Sequence, residues 1–263
     1  MMSTSEQATD APEAPRTEGV YVYGIVPADV ETAEDAVGID ESPVNTVSHG
    51  DIAALVSEIS LDRQLGKPAD LRAHAYLLDG TAKVAPVLPM RFGAVLTDMD
   101  AVKAELLTEN ADDFAEAMKE LEGKAQYLLK ARYVEEAILR EVVGENAQAR
   151  ELLETIRKQP EDVTRDARIT LGELVSKAIE AKREADTSIA VDALSSLTDA
   201  VKVREPTHEE DAANVAILLE TERQQDLEHA VGTLGEQWDG RVEVRLLGPL
   251  AAYDFVMTRT PED

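Results

Sequence analysis

Cysteine is absent from the 263 residues, and with it go disulfides, thiolate metal sites and thiol nucleophiles. Aromatic residues make up only 4% of the chain, so a core has to be built mainly from Val, Leu, Ile and Ala. Basic residues are scarce as well: 26 Lys and Arg stand against 53 Asp and Glu, a formal net charge of −27. A surface of that sign repels phosphate backbones, whose capture rests on neutralisation by Lys and Arg. No basic cluster interrupts it, so nucleic acid is excluded as a partner and anionic lipid surfaces are disfavoured. No apolar run approaches the roughly 20 residues that span a bilayer. The longest candidates are broken at Pro86 and Pro89, and no membrane insertion is expected. The opening stretch MMSTSEQATDAPEAP has neither the basic start nor the apolar core of a secretion signal. Together these absences predict a cytoplasmic chain.

What is abundant is carboxylate, and it is spread along every segment instead of forming one tail. Such an excess destabilises a compact state at low ionic strength through self-repulsion. In molar salt the Debye length falls to about 3 Å, and most of that repulsion disappears. The few basic residues are mainly Arg. This composition resembles the cytoplasm of a salt-accumulating halophile and predicts a chain that folds fully only at high ionic strength. A concentrated acidic docking face, the other reading of the charge, would cluster its carboxylates.

Residues 1–18, rich in Ser, Thr, Ala, Pro and Glu, read as a disordered acidic tail, and 259–263 as a short C-terminal one. Between them the pattern is α+β. Val20 to Val26 is β-branched and aromatic and predicts a strand ending at Pro27, with a second from Asp51 to Ile59. Asp70 to Leu78 predicts a helix with Leu71, Ala75 and Leu78 on its inner face. The prolines of VAPVLPMRFGAVL confine that run to a sheet edge. A capping box at Thr97 and Asp100 opens a helix with Val102 and Leu106 inward, and Asn110 caps another carrying Phe114, Met118 and Leu121. Gly123 supplies a left-handed stop, and a boundary is placed there: an N-terminal α+β domain over 19–122 and a second domain over 123–258.

In the second part Ala125, Tyr127, Leu129 and Ala131 alternate as a strand, and helical patterning follows to about Ala200, broken near Gly144 and Pro160. Short strands are expected at Val201–Arg204 and Asn214–Leu219. A capping box at Thr221 and Gln224 opens a helix with Leu227, Val231 and Leu234 inward, and Val242, Val244 and Leu246 form a last strand. The order β-α-β-β-α-β predicts a modified ferredoxin-like fold with a long helical first crossover.

Catalytic spacing is missing. Gly66-Lys67 resembles the end of a phosphate loop, but Leu61 stands where its first Gly belongs and Pro68 replaces Ser or Thr. His49, His74, His208 and His229 are far apart and read as exposed or core-satisfied. Pairs such as Asp112-Asp113 and Glu209-Glu210 arise by chance among so many acids. No catalytic, cofactor-binding or metal-binding residue is assigned. Two segments do stand out. In Leu88-Pro89-Met90-Arg91-Phe92-Gly93 a lone Arg sits in an apolar run, either to anchor a partner carboxylate or, the preferred reading, to satisfy buried carbonyls or a neighbouring Asp. In Leu247 to Phe255, Gly248-Pro249 predicts a turn, after which Tyr253 and Phe255 pack back against the other domain.

These segments carry a family resemblance. Tyr21-Val22-Tyr23-Gly24-Ile25-Val26, Val87 to Gly93, Leu121 to Tyr127, and Gly248-Pro249 with Tyr253 and Phe255 occur in the order seen in the gas vesicle GvpF/GvpL family, which the chain resembles over about 19–258. It departs where that family often has Gly-Pro-Trp-Pro-Pro-Tyr, since Leu250, Ala251 and Ala252 follow Gly248-Pro249 here. The resemblance implies a non-enzymatic accessory protein, associated with gas vesicles, that binds the hydrophobic shell protein or other accessory proteins during early assembly. It marks Tyr21, Tyr23, Gly24, Pro89, Arg91, Phe92, Gly93, Gly248, Pro249, Tyr253 and Phe255 as structural or partner-binding. The tail and long crossover favour the L-type. The alternative is a small-ligand-binding regulatory module on a ferredoxin-like sheet.

Overall fold

The computed structural model describes residues 17–33, 36–198 and 200–256, so residues 1–16 of the expected N-terminal tail and all of 259–263 lie outside it. The first sheet is antiparallel and centres on β1 (Glu18–Pro27), which runs between β3 (Ile52–Ser60) and the short β4 (Leu88–Pro89) and β5 (Val95–Leu96); β2 (Asn45–His49) borders β3. A register shift between Val22 and Gly24 adds one residue to β1. The pleat alternation therefore slips: Val20, Val22 and Ile25 enter one apolar cluster, Tyr21, Tyr23 and Val26 another. Prolines confine β4 to two residues at the edge, as their missing N–H requires.

Helix α1 (Pro68–Thr81) turns a different face inward than its apolar pattern suggests. Asp70, His74 and Leu78 are buried, whereas Leu71 is 48% exposed. The polar residues go inside because each has partners waiting. Asp70 receives two hydrogen bonds from the Arg63 guanidinium, at 3.2 and 3.0 Å, and the N–H groups of Gly66 and Lys67 at 3.0 Å. The Arg63 hydrogen bond, outweighing burial, holds the Asp70 carboxyl below its ordinary range. The expected capping box at Thr97 is replaced by Asp98, whose carboxylate accepts from the Ala101 N–H at 2.8 Å and opens α2 (Met99–Ala101). The chain continues as a π-helix over Val102–Thr108, and its five-residue spacing buries Leu107 beneath Val102, leaving Leu106 half-buried. Asn110 does not cap α3 (Ala111–Leu121) with its side chain, which donates back to the Leu106 carbonyl at 2.8 Å. Gly123, at φ +69, turns the chain into the second sheet.

That sheet joins β6 (Lys124–Tyr133), β7 (Val201–Val203), β8 (Asp211–Glu220) and β9 (Val242–Leu250) in the order β7-β8-β6-β9, every neighbouring pair antiparallel. Helices α4 (Glu135–Glu145), α5 (Ala147–Lys158) and α6 (Arg165–Ser195) fill the first crossover, and α7 (Gln224–Gln237) the second. The predicted capping box at Thr221 is absent. A 3-10 turn precedes α7, and the Thr221 hydroxyl donates to the Gly123 carbonyl at 3.2 Å. One face of β6 and β8 meets Ile138, Val142, Leu194, Leu227 and Trp238 in the second core. On the other face Leu218 joins the cluster built on β1 and β3, so the two sheets share a boundary.

One ion network ties the crossover helices to the sheet. Arg241, just before β9, donates to both Asp186 oxygens at 3.0 and 2.8 Å and to Glu141 at 2.7 Å. Tyr133, at the end of β6, donates to Asp186 at 2.6 Å, and Lys182 reaches Glu141 at 2.5 Å. Burial would push Glu141 up, but the hydrogen bonds and charges of Arg241 and Lys182 outweigh it and hold the carboxyl below its usual range.

Among the described residues the buried carboxylates are Asp70, Asp186 and Asp211, all hydrogen-bonded. Most other carboxylates among the described residues reach solvent at least in part, and salt screens their charge. Raising NaCl from about 0.1 M to about 1 M, with the Debye length falling from roughly 10 to 3 Å, is expected to raise the melting temperature. A melting temperature that does not change across that range removes self-repulsion as a determinant of stability.

Candidate functional site

The motif residues converge where β1, α1, the Pro89–Gly93 loop and the segment after β9 meet. Gly24 makes the approach close: a Cβ there would lie 2.8 Å from both the Leu88 carbonyl oxygen and Leu78 Cδ2. Just before it in sequence, Tyr21 and Tyr23 are fully buried with ring centroids 4.8 Å apart. His74 of α1 stands edge-on to Tyr21 at 5.8 Å and to Phe92 at 5.7 Å, and Tyr253 lies 6.5 Å from it on the remaining side. Tilted and edge-to-face contacts of this kind add to the burial of the rings themselves.

The hydroxyls fix this cluster. The Tyr21 oxygen accepts from the Gly93 N–H at 3.1 Å, which leaves its own proton for His74 Nδ1 at 3.0 Å. The imidazole is then the neutral tautomer protonated on Nε2, an atom without a hydrogen-bond partner. Burial pushes the His74 pKa down to about 4, with the Met90 backbone opposing it, and pushes Tyr21 up to about 12. The Tyr23 oxygen accepts from the Ile39 N–H at 2.8 Å and its proton goes to Ser57 Oγ at 3.1 Å, while Ser57 donates to the Pro43 carbonyl at 2.8 Å. Gly38 makes room for that hydroxyl, since a Cβ would fall 1.8 Å from it.

From the far side comes the segment 247–256. Gly248 does not start a turn as the sequence predicts. It sits within β9 at φ +140, where the register against β6 shifts and a Cβ would meet Tyr127 Cδ1 at 2.6 Å. Its bond to Pro249 is cis, and β9 ends at Leu250. Ala251 and Ala252 are then buried in the two different clusters of the first sheet. The Ala251 N–H donates to Asp79 of α1 at 3.1 Å. Gln126 of β6 clamps the next residues, accepting from the Asp254 N–H at 2.9 Å and donating to the Asp254 carboxylate at 2.6 Å. Lys202 donates to the Asp254 carbonyl at 2.6 Å and lies 5.3 Å from the centroid of the Phe255 ring. The segment thus links α1, β6 and β7.

The structure therefore gathers Tyr21, Tyr23, Phe92 and Tyr253 around His74, and places Gly24, Pro89, Gly93, Gly248 and Pro249 in the backbone that frames them; Phe255 packs on the first sheet's other cluster. Arg91 departs from its preferred reading. It is exposed, and its side chain forms no ion pair or hydrogen bond among the described residues. Its neighbours in the loop are held through the backbone, where Ala94 N–H donates to the Arg91 carbonyl at 3.2 Å. Arg91→Ala is accordingly expected to change the free energy of unfolding by no more than an exposed substitution does, within about 0.5 kcal/mol. A loss above about 1 kcal/mol in chemical denaturation would restore the buried-carbonyl role.

Ser57, Gly38, Asp79, Gln126 and Asp254 were not singled out in sequence, and His74 was read there only as exposed or core-satisfied. The signal for His74 was the spacing Asp70, His74, Leu78, one residue per turn on a common face. Gln126 was visible as a lone amide in an apolar strand. Chemically, the cluster holds neutral hydrogen-bonding groups that, His74 Nε2 apart, are directed at one another, and its raised tyrosines stay protonated at neutral pH. Among the described residues no three His, Asp or Glu side chains form a metal-holding group, and no helix is long and apolar enough to cross a membrane.

Comparison with known proteins gives one family. A family model described as "Gas vesicle synthesis protein GvpL/GvpF" matches residues 19–257. The chain is 33% identical over 241 residues to gas vesicle protein F of Streptomyces sp. (strain CB03234), covering 90% of this chain and 98% of that protein. Against gas vesicle protein F of Dolichospermum flosaquae identity is 24%, with 90% and 96% covered. Crystal structures of GvpF from Anabaena sp. PCC7120 and Microcystis aeruginosa superpose with TM-scores of 0.72 and 0.70 at 22% and 21% identity. They cover 90% of this chain and 97% and 98% of theirs, and share its fold. These relatives carry the F name, whereas the tail and crossover favour the L-type in sequence.

Proposed function

The chain belongs to the GvpL/GvpF family of gas vesicle synthesis proteins, and from that premise we propose that it is a non-enzymatic accessory protein that binds the hydrophobic shell protein, or other accessory proteins, during early gas vesicle assembly in the cytoplasm. The observation that carries the reading is the family match over nearly all of the chain. The junction fits it, because most of its polar groups are directed at one another and serve to hold surfaces in place. A shell that keeps water out needs very apolar subunits, and these have to be kept from aggregating before they polymerise. A strongly acidic carrier stays soluble while holding them.

We read the architecture as two domains with the division at 122–123, the second being a modified ferredoxin-like fold. The strand order β7-β8-β6-β9, which is 2-3-1-4 within the β-α-β-β-α-β unit, supports this. The single deciding experiment is capture of purified shell protein by the tagged full chain. Retention above an unrelated protein of equal acidity is expected, and retention no greater than that control overturns the reading. A second reading, a small-ligand module, draws on a cavity of about 350 Å³ beside β7 and α6, where the buried Asn214 Oδ1 has no hydrogen-bond partner. A metabolite screen that shifts the melting temperature, with the shift lost in Asn214→Ala, would favour it.

A further inference from the structure

Apolar side chains that a −27 chain would be expected to cover stand open on one side of α1. Tyr76 and Val84 are each 83% exposed and Val37 is 52% exposed. They border two cavities, of about 560 and 500 Å³, which share Val30, Glu31 and Val84 and so form one groove. Its walls are residues 29–33 and 36–37, the second half of α1, the Val84–Pro86 turn and the end of α3. They are held in shape: Ala28 N–H donates to Asp51 at 2.9 Å, Val44 N–H to Ala36 at 3.1 Å, and Val37 bridges Pro43. Patches of exposed apolar surface rimmed by polar residues mark interaction sites.

The rim chooses the partner's charge. Asp29, Glu31 and Glu122 face the groove against Lys119, the one cation among the described residues that line it, and they lie on a chain of net charge −27. The partner's backbone mode is set by topology. The free edges of the first sheet are β2 and the short β4 and β5, and none of these strands lines the groove. Among the described residues no free sheet edge is offered to the groove, so recognition falls to side chains, the mode in which an amphipathic helix lays its apolar face into a preformed slot.

We propose that this groove binds an amphipathic helix of a partner protein, apolar on the face seated over Val30, Tyr76 and Val84 and flanked by Lys or Arg that meet Asp29, Glu31 and Glu122. This rests on the reading of the chain as a carrier of vesicle proteins and names the surface that does the carrying.

The test uses a fluorescein-labelled Leu–Lys peptide of about 18 residues with leucines at helical spacing, titrated with the full chain by anisotropy. Saturable binding is expected, and Tyr76→Glu with Val84→Glu is expected to weaken it about tenfold or more. Both positions are so exposed that folding is spared, which circular dichroism checks. The sign is informative. The pair adds two negative charges, so mere attraction of a basic peptide to an acidic protein would strengthen. Val203→Glu with Ile169→Glu, at exposed apolar sites elsewhere, adds the same charge and is expected to leave affinity equal or higher. Absent binding by the unaltered chain, or affinity unchanged or raised by the groove pair, overturns the groove. Shell-protein capture, run in parallel, separates this from failure of the carrier reading. Capture that persists while the peptide ignores the groove overturns the groove alone. Loss of capture with the peptide still seated there overturns the carrier role alone.

Discussion

Arg241→Met is expected to lower the free energy of unfolding by about 3 kcal/mol, the lower end of what removing one partner of a buried ion pair costs. Met keeps the packing of the stem and removes the guanidinium. Asp186, whose side chain is 6% exposed, then keeps only the Tyr133 hydroxyl at 2.6 Å as a partner for a carboxylate that had two further hydrogen bonds. The lower end applies because the Arg241 side chain is itself 25% exposed, so water replaces part of what is lost. Glu141 is less affected, since Lys182 remains beside it. Denaturant titration measures the loss. Adding Asp186→Asn to the Met variant removes the stranded charge and keeps an acceptor for Tyr133, so the double variant is expected to be more stable than Arg241→Met alone. A single-variant loss below about 1 kcal/mol, or a double variant weaker still, would show that burial of Asp186 is not what makes the network matter.

That network was not legible in the sequence, and the reason is distance along the chain. Tyr133, Glu141, Asp186 and Arg241 come from four different elements, and nothing local distinguishes them among 53 acids and 26 bases. What was legible was whatever a strand or helix states on its own. The alternation of Ala125, Tyr127, Leu129 and Ala131, the breaks near Gly144 and Pro160, and the reversal at Gly123 all correspond to observed elements. Some errors fell where a polar residue found a partner outside its own helix. Leu71 looked like the inner face of α1 because nothing nearby showed that Arg63 would carry Asp70 inward or Tyr21 would receive His74. Leu106 lost its place to Leu107 because a π-helix does not follow the 3.6-residue period. The junction was half legible. Its aromatic motifs were quoted, but the polar groups that lock them lie 16 to 172 residues away from their partners in sequence.

Between pH 6.5 and 4 the fold is expected to lose about 3 kcal/mol that belongs to His74. In the unfolded chain the imidazole titrates near 6.5, and in the fold near 4, because protonation would place a charge among Tyr21, Tyr23, Phe92 and Tyr253. Within that window the unfolded state binds more protons, so stability rises with pH. The contribution is complete above about 6.5 and gone below about 4, at roughly 1.4 kcal/mol per unit. Asp70 acts lower down. Its pKa is depressed from 3.8, so its stabilisation is present above that value and is lost only as pH falls through the folded one. Asp79 opposes both, since burial raises its pKa and the folded state takes up that proton first, offsetting part of the loss near its own titration. Denaturation midpoints measured across the window should fall for the unaltered chain. In His74→Gln, which cannot titrate there, the level drops for want of the imidazole packing, but the slope should flatten. The slope is the test, because a loss of packing lowers the whole curve without changing its tilt. Equal slopes in the two proteins would mean that His74 is already protonated or open to water in the fold, and the junction would then need a different account of how a charge is held among four rings.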